Sequence, residues 1–206
     1  MKILVLNASP RRNGTISQAA SRFMEGVAES VAGDFSEDTR IDVVNVADLK
    51  FSPCRGCMQC RKCGRCCLPQ DDAHRIAEKI EACDVLVVAA PVYWGSIPGN
   101  LKMLFDRMVY ALMAESRLGI PKPLHKGKDA YIITSCTTPF PFNVFCGQTS
   151  GVVKALKEIL GTAGFKIRGK VVISGTKAKK ASPNMPENAP TGWAFRLPRD
   201  ILEVFP

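Results

Sequence analysis

Apolar and polar positions alternate along this chain in blocks. Ile3-Leu4-Val5-Leu6 is a short unbroken apolar run, the pattern of a strand buried on both faces of a parallel sheet. It breaks into Asn7-Ala8-Ser9-Pro10-Arg11-Arg12-Asn13-Gly14-Thr15. Beyond that loop Ala19, Ala20, Phe23, Met24, Val27 and Val31 recur at near-helical spacing and predict a helix over 16–31. After a polar turn at 33–38, Ile41 to Val46 reads as a second strand. A cysteine-rich segment follows, and Asp71-Asp72 then caps a helix reaching Ala82, with Ile76, Ala77 and Ile80 on one face. Val85 to Ala90 is a third strand, running into Pro91-Val92-Tyr93-Trp94-Gly95-Ser96. A helix from Gly99 to Met113 is opened by Pro98. Ala130 to Thr134 makes a fourth strand, followed by a long loop with Pro139, Pro141 and Gly147. Gly151 to Ala163 reads as a helix closed by Gly164, and Lys170 to Ser174 as a fifth strand.

This alternation predicts an α/β fold, a doubly wound five-stranded parallel sheet with helices on both faces. Ligands of such sheets bind beyond the carboxyl ends of the strands, at the switch point of the strand order. The loops that qualify are 9–17, 91–96 and 135–147. Residues 1–176 form the expected domain, with a cysteine-rich insertion at 50–70. Residues 177–206 form a C-terminal extension: Lys177 to Pro190 is basic and then rich in Pro, Asn and Ala, like a linker. Trp193, Phe195, Leu197, Ile201, Leu202, Val204 and Phe205 follow it, and these apolar residues are expected to dock on the body or on a partner subunit.

The loop after the first strand is suited to an anion. A helix start presents unpaired backbone N–H groups and the positive end of its dipole, Ser9, Thr15 and Ser17 add hydroxyls, and Arg11 adds a bidentate cation. It lacks both the Gly-Lys-Ser/Thr ending of a triphosphate loop and the G-x-G-x-x-G dinucleotide fingerprint. The plain alternative is a strand–turn–helix connection capped by Thr15 or Asn13.

Net charge is +9, from 28 Lys and Arg against 19 Asp and Glu. With no nucleic-acid motif and no aromatic–basic interleaving, a phosphorylated cofactor accounts for part of that excess, and no nucleic-acid partner is expected. No apolar stretch approaches the ~20 residues that span a bilayer, so no membrane partner is expected. Met1 leads straight into a core-type strand, so a signal peptide is not expected and the cytoplasm is the expected compartment. There, nine cysteines argue against a disulfide framework. Six of them, Cys54, Cys57, Cys60, Cys63, Cys66 and Cys67, lie within one short segment. Cys-x2-Cys spacing lets thiolates converge on one cluster. One register, Cys57-Cys60-Cys63-Cys67, has ferredoxin-like spacing. Zinc on Cys54-Cys57 with Cys63-Cys66 leaves an unusually short gap between the pairs. Metal-free, redox-active thiols are the third reading. Cys83 and Cys146 read as core cysteines, and His74 and His125 as surface or capping residues.

The loop 7–15, Cys54-x2-Cys57-x2-Cys60, Gln70-Asp71-Asp72, Ala90 to Pro98 and Leu101-Lys102-x3-Phe105-Asp106-Arg107 together resemble, in order, the NADPH-dependent FMN reductase group of the flavodoxin-like superfamily. The iron–sulfur flavoprotein branch is the nearest match. The resemblance covers about 1–175 and implies bound FMN. Ser9, Arg11, Asn13, Thr15, Ile16 and Ser17 would hold its phosphate. Pro91, Val92, Tyr93, Trp94 and Gly95, with Ser135 and Cys136 at lower weight, would line the flavin ring. It also implies a [4Fe–4S] cluster on Cys54, Cys57 and Cys60 with Cys66 or Cys67 as fourth ligand.

The function so implied is an FMN-dependent oxidoreductase. It would take electrons from NAD(P)H or a reduced ferredoxin-like protein and pass them to a quinone, flavin or other small acceptor, as a homodimer or homotetramer. The hydride chemistry belongs to the cofactor, so no catalytic side chain is expected. The alternatives are a non-enzymatic electron-transfer flavoprotein and a module whose cysteines sense thiols or metals.

Overall fold

The computed structural model describes residues 1–32 and 39–177. The expected turn at 33–38 and nearly all of the C-terminal extension lie outside the described residues. Five parallel strands form the sheet: β1 (Lys2–Asn7), β2 (Arg40–Asn45), β3 (Val85–Pro91), β6 (Asp129–Ser135) and β7 (Lys166–Ile173), in the order β2-β1-β3-β6-β7. β4 (Met113–Glu115) and β5 (Pro121–Pro123) make a separate antiparallel hairpin. The helices are α1 (Thr15–Ala32), α2 (Gln59–Cys63), α3 (Asp72–Ala82), α4 (Gly99–Arg107), α5 (Val109–Leu112), α6 (Phe142–Phe145) and α7 (Gln148–Ala163). The doubly wound five-stranded sheet is therefore as the alternation predicted.

Its central strands are apolar through their middles, and β3 throughout, because both faces are covered. Leu4, Leu6, Leu86, Val88 and Ile132 point to one face and pack with Ile76 and Ile80 of α3, Leu101 and Leu104 of α4, and Leu156 and Leu160 of α7. Ile3, Val5, Val87, Tyr131 and Ile133 point the other way, against Ile16, Ala19, Ala20 and Phe23 of α1. Side chains alternate along a strand, so one run supplies both cores. No helix among the described residues is long and apolar enough to cross a membrane.

Several elements differ from the expected pattern. The helix predicted from Gly99 to Met113 is two helices. Met108 leaves helical geometry (φ −98°, ψ 13°) with its side chain fully buried, and its N–H is shared between the carbonyls of Leu104 and Phe105, each at 3.1 Å. From there the chain turns into the β4–β5 hairpin, which Pro121-Lys122-Pro123 does not announce by any apolar alternation. α7 begins at Gln148 rather than Gly151, released by Gly147 at φ +68°. β7 begins at Lys166 rather than Lys170, because an edge strand tolerates charge on its open side. Within the cysteine segment, Gln59–Cys63 is helical, set off by Met58 and Gly64 at positive φ.

Both histidines have definite places. His74 completes the cap of α3, its Nδ1 accepting the Asp71 N–H at 3.2 Å. His125 is not a surface residue: it is 2% exposed, its Nε2 lies 2.7 Å from the Ala111 carbonyl, and its ring stacks on Phe165 at 4.7 Å. Burial holds His125 below the ordinary histidine range, although the Ala111 carbonyl acts in the opposite direction. Cys83 is a core residue as expected, its thiol pushed up to about 11 by burial. Cys146 is exposed, a correction to the core reading: it closes the short α6 rather than entering the sheet packing.

Candidate functional site

Strand register gathers the loops. Asn7 lies beside Ala89, and Pro91 beside Ser135, so the segments after β1, β3 and β6 leave the same edge of the sheet side by side. The first loop curls around one atom, the carbonyl oxygen of Arg11. It accepts hydrogen bonds from Ser17 Oγ at 2.8 Å, Ser9 Oγ at 3.1 Å and the Gly14 N–H at 3.1 Å. The Asn7 side chain braces this curl, accepting the Ser9 N–H at 3.1 Å and donating to Ser17 Oγ at 3.0 Å and Asn45 Oδ1 at 3.1 Å. A Cβ at Gly14 would lie 3.0 Å from Arg11 Cβ and 3.2 Å from its carbonyl, so a side chain there would crowd the turn by a few tenths of an ångström.

Thr15, Ile16 and Ser17 form the first turn of the 18-residue α1. Their N–H groups belong to the turn for which the helix supplies no carbonyl. Of the expected phosphate residues, Ser9, Thr15 and Ser17 sit in this cradle, and Arg11 and Asn13 stand exposed at its rim. The Ile16 side chain is buried in the core, so only its backbone faces the loop. Arg12 turns away to an exposed ion pair with Asp48 at 2.9 Å.

The second loop is a tight turn in which the N–H groups of Tyr93 and Ser96 each bond the other residue's carbonyl, at 3.0 and 2.9 Å. Its two central residues, Trp94 (φ +52°) and Gly95 (φ +71°), are left-handed. For Gly95 that conformation costs little; for Trp94 it is uncommon. The Trp94 side chain is fully exposed and Tyr93 is 44% exposed. The turn leans on α7 by backbone contact: a Cβ at Gly151 would lie 1.9 Å from the Gly95 carbonyl oxygen. In the third loop, Ser135 and Cys136 are buried. The Ser135 carbonyl accepts the Val92 N–H at 2.9 Å, and the Cys136 thiol is spent on the Thr138 carbonyl at 3.2 Å. Burial raises that thiol above its ordinary value.

These features fit a flavin phosphate and ring. The tight turn at a helix start suits a dianion. Two aromatics raised at the same sheet edge offer surface for a flat π system.

The cysteine segment lies against the other end of α4 and α5. Arg107, at the last position of α4, is buried (side chain 1% exposed) and reaches two partners. Its Nη2 bonds Asp71 Oδ1 at 3.0 Å and Oδ2 at 2.9 Å, while its Nη1 donates to Cys66 Sγ at 2.7 Å. Asp71 in turn caps α3 through the Ala73 N–H. Sequence reasoning quoted Arg107 only within a motif and missed this network. The available signal was its spacing: three residues after Leu104 and one before Met108, it falls within the apolar face of α4.

The expected ligands do not gather into one set. Cys57 and Cys67 come together, Sγ to Sγ 3.5 Å, whereas Cys66 is drawn to Arg107 and Cys54 Sγ accepts the Gly56 N–H at 3.4 Å. Cys60 is half-buried among them. Burial raises its thiol, and the neighbouring Cys66, Cys54 and Cys57 add to the rise. The Gln59 backbone and the Cys67 contact lower Cys57, and that same contact raises Cys67. Among the described residues no three Cys, His, Asp or Glu side chains stand as a ready metal site. All nine cysteines are free.

Asp71 links this network to pH. Burial alone would raise its carboxyl, but the Ser52 N–H, the Arg107 guanidinium and His74 outweigh it and hold Asp71 below the ordinary aspartate value. A lowered folded pKa adds stability above the unfolded value of about 4, and that stability is lost as pH falls through the folded value. We therefore expect the stability advantage of the unsubstituted chain over Asp71→Asn to shrink steadily from pH 5 to pH 3, measured by urea unfolding at each pH. A pH-independent difference would remove Asp71 as the titrating group.

The family described as NADPH-dependent FMN reductase matches residues 1–179. An iron-sulfur flavoprotein of Methanosarcina thermophila is 38% identical over 109 residues, covering 53% of this chain and 53% of that protein. An iron-sulfur flavoprotein of Methanocaldococcus jannaschii is 31% identical over 107 residues, 52% of this chain and 51% of that one. The matched part spans about half the length of these curated relatives. Among solved structures, an FMN-dependent NADH-azoreductase of Bacillus anthracis in complex with FMN superposes with a TM-score of 0.64 at 18% identity, covering 85% of this chain and 87% of that one. That last likeness is one of fold.

Proposed function

The chain belongs to the NADPH-dependent FMN reductase family, and from that premise we propose that it is an FMN-dependent oxidoreductase, moving electrons from NAD(P)H to a small acceptor such as a quinone or a free flavin. The observation that carries the proposal is the Ser9–Ser17 cradle closed on the Arg11 carbonyl, beside the raised Tyr93-Trp94-Gly95 turn at the switch point of the sheet. When bound, FMN supplies the hydride and electron chemistry. Thr15 and the first-turn N–H groups would hold its phosphate, joined by Ser9 and Ser17 once their hydroxyls turn from the Arg11 carbonyl, with Arg11 and Asn13 at the rim. Pro91 to Gly95, with the backbone of Ser135 and Cys136 next to them, would line the ring.

Titrating the flavin-free chain with FMN is expected to give saturable binding. With the flavin loaded, NAD(P)H should be oxidised faster when a quinone is added. Trp94→Ala is expected to weaken FMN about three- to tenfold, the worth of one aromatic contact. No binding of FMN would end the proposal. Binding without turnover of any small acceptor would favour the second reading, an electron carrier that exchanges only with a ferredoxin-like protein.

The relatives named iron-sulfur flavoproteins and the crowded sulfurs support a [4Fe–4S] cluster within this reading. Cys54, Cys57 and Cys60 with Cys66 or Cys67 would hold it, and Arg107 would donate to Cys66. The donor chemistry suits such a cluster, although the described sulfurs have to draw together to form the set. Anaerobic preparation should then yield about four irons and four sulfides per chain. Flavin without iron would leave the oxidoreductase proposal standing and remove the cluster. Self-association belongs to the same proposal: Tyr93, Trp94, Phe140, Phe142 and Phe145 are exposed near the site edge, the kind of surface a second subunit covers.

A further inference from the structure

Cys57 and Cys67 are ten positions apart in sequence, yet their sulfurs stand 3.5 Å apart. The backbone explains how. Gly56 and Met58 at positive φ turn the chain into α2, Gly64 at positive φ ends it after five residues, and the chain returns alongside its start. Both cysteines are exposed, within reach of a small reagent. Of the other sulfurs nearby, Cys60 is half-buried and the remaining three have partners of their own. Arg107 holds Cys66, Cys63 donates to the carbonyls of Gln59 and Arg65 at 3.2 Å each, and Cys54 accepts the Gly56 N–H. A disulfide requires the two sulfurs to close from 3.5 Å to about 2.05 Å. α2, the helix between them, buries no side chain and is tied to β4 by the flexible Arg61 side chain on Glu115 at 2.9 Å.

We propose that Cys57 and Cys67 form a thiol–disulfide couple, a covalent modification site that closes the cysteine segment into a ring on contact with a low-molecular-weight disulfide. Cys57 releases its proton to water and its sulfur attacks one sulfur of the oxidant RSSR. The RS–SR bond breaks, and the departing RS⁻ takes up a proton. Cys67 then gives up its proton and attacks Cys57 Sγ in the mixed disulfide, expelling the second RSH. In sum, two protein thiols lose two electrons and two protons, and RSSR becomes two RSH. In the oxidised form neither sulfur is available to a metal, so ring closure and metal ligation at these two cysteines exclude one another. The couple needs no flavin, and it goes beyond the oxidoreductase proposal.

The test uses the full chain, reduced with dithiothreitol, treated with a chelator under argon, desalted and then exposed to excess oxidised glutathione. Free thiols are alkylated and the peptides mapped by mass spectrometry. The expected product is a Cys57–Cys67 cross-link with no glutathione retained at either residue. Cys67→Ser should stop at a glutathione adduct on Cys57, while Cys66→Ser should cross-link as the unsubstituted chain does. A different dominant pairing, or a stable glutathione adduct on Cys57 of the unsubstituted chain, would overturn the proposal. The readout is covalent and does not depend on FMN binding, so its failure and the failure of the oxidoreductase proposal are separately visible.

Discussion

Replacing Arg107 with leucine is expected to destabilise the fold by about 3–5 kcal/mol, the cost of breaking a buried ion pair by removing one partner. The guanidinium is buried to 1% side-chain exposure and forks onto both oxygens of Asp71. Its loss would leave that carboxylate with only the Ser52 and Ala73 N–H groups and His74. Asp71 is 17% exposed, so water reaches it in part and the lower end of the range is expected. Cys66 would lose its donor as well, which frees the end of the cysteine segment. Arg107→Lys should fall between, since a lysine keeps the charge without the planar fork. Urea unfolding measures this as a lower midpoint at constant slope. Pairing Arg107→Leu with Asp71→Asn should cost less than the two separate changes combined, because neither charge is then left without its partner. Strict additivity would mean that the two side chains do not support one another.

Gly151→Ala is expected to be the second large effect, through the site rather than the core. A methyl there would lie 1.9 Å from the Gly95 carbonyl oxygen and 3.1 Å from its carbon, and both are backbone atoms that cannot rotate aside. The strain costs about 1–3 kcal/mol. Whatever part is relieved by displacing the Tyr93–Ser96 turn should appear as weaker FMN binding, about tenfold for each 1.4 kcal/mol. Gly161 on the same helix is the internal control. An added Cβ there meets nothing within 4 Å, so Gly161→Ala should stabilise by up to about 1 kcal/mol through helix propensity alone and leave FMN affinity unchanged. Thermal unfolding and FMN titration of both variants decide the matter. Equal behaviour of the two would mean that the α7–turn contact does not position the site.

The elements that the hydrophobic pattern predicted well are those whose signal is local. Ile3–Leu6, Val85–Ala90 and Ala130–Thr134 carry continuous apolar runs because the middle of a parallel sheet is dry on both faces. The helix over 16–31 has a full amphipathic stripe, and Asp71 has the side chain of a cap. Elements with a weak local signal were missed or misplaced. The β4–β5 hairpin is six residues paired across a turn, two of them prolines. α2 is a single turn held by backbone conformation at Met58 and Gly64. The break at Met108 is a change of backbone dihedrals on an apolar face that keeps its helical spacing, so periodicity does not record it.

The site divides along the same line. The loop from Asn7 to Ser17 was recognisable as a strand–turn–helix start because strand, turn, glycine and helix start are consecutive, and its closure on the Arg11 carbonyl uses only neighbouring residues. That Asn45 braces it, and that α7 supports the Trp94 turn through two glycines, could not be read from spacing. By itself, then, the sequence determined the alternating fold, the turn between the first strand and helix and the presence of closely spaced thiols, since each is a property of contiguous residues. Only the tertiary structure decided which thiol does what. Arg107, 41 residues from Cys66 and 36 from Asp71, draws one sulfur inward, and the return of the chain at Gly64 leaves Cys67 facing Cys57. Side-chain partners at such separations are set by how the helices pack on the sheet, which residue spacing alone does not encode.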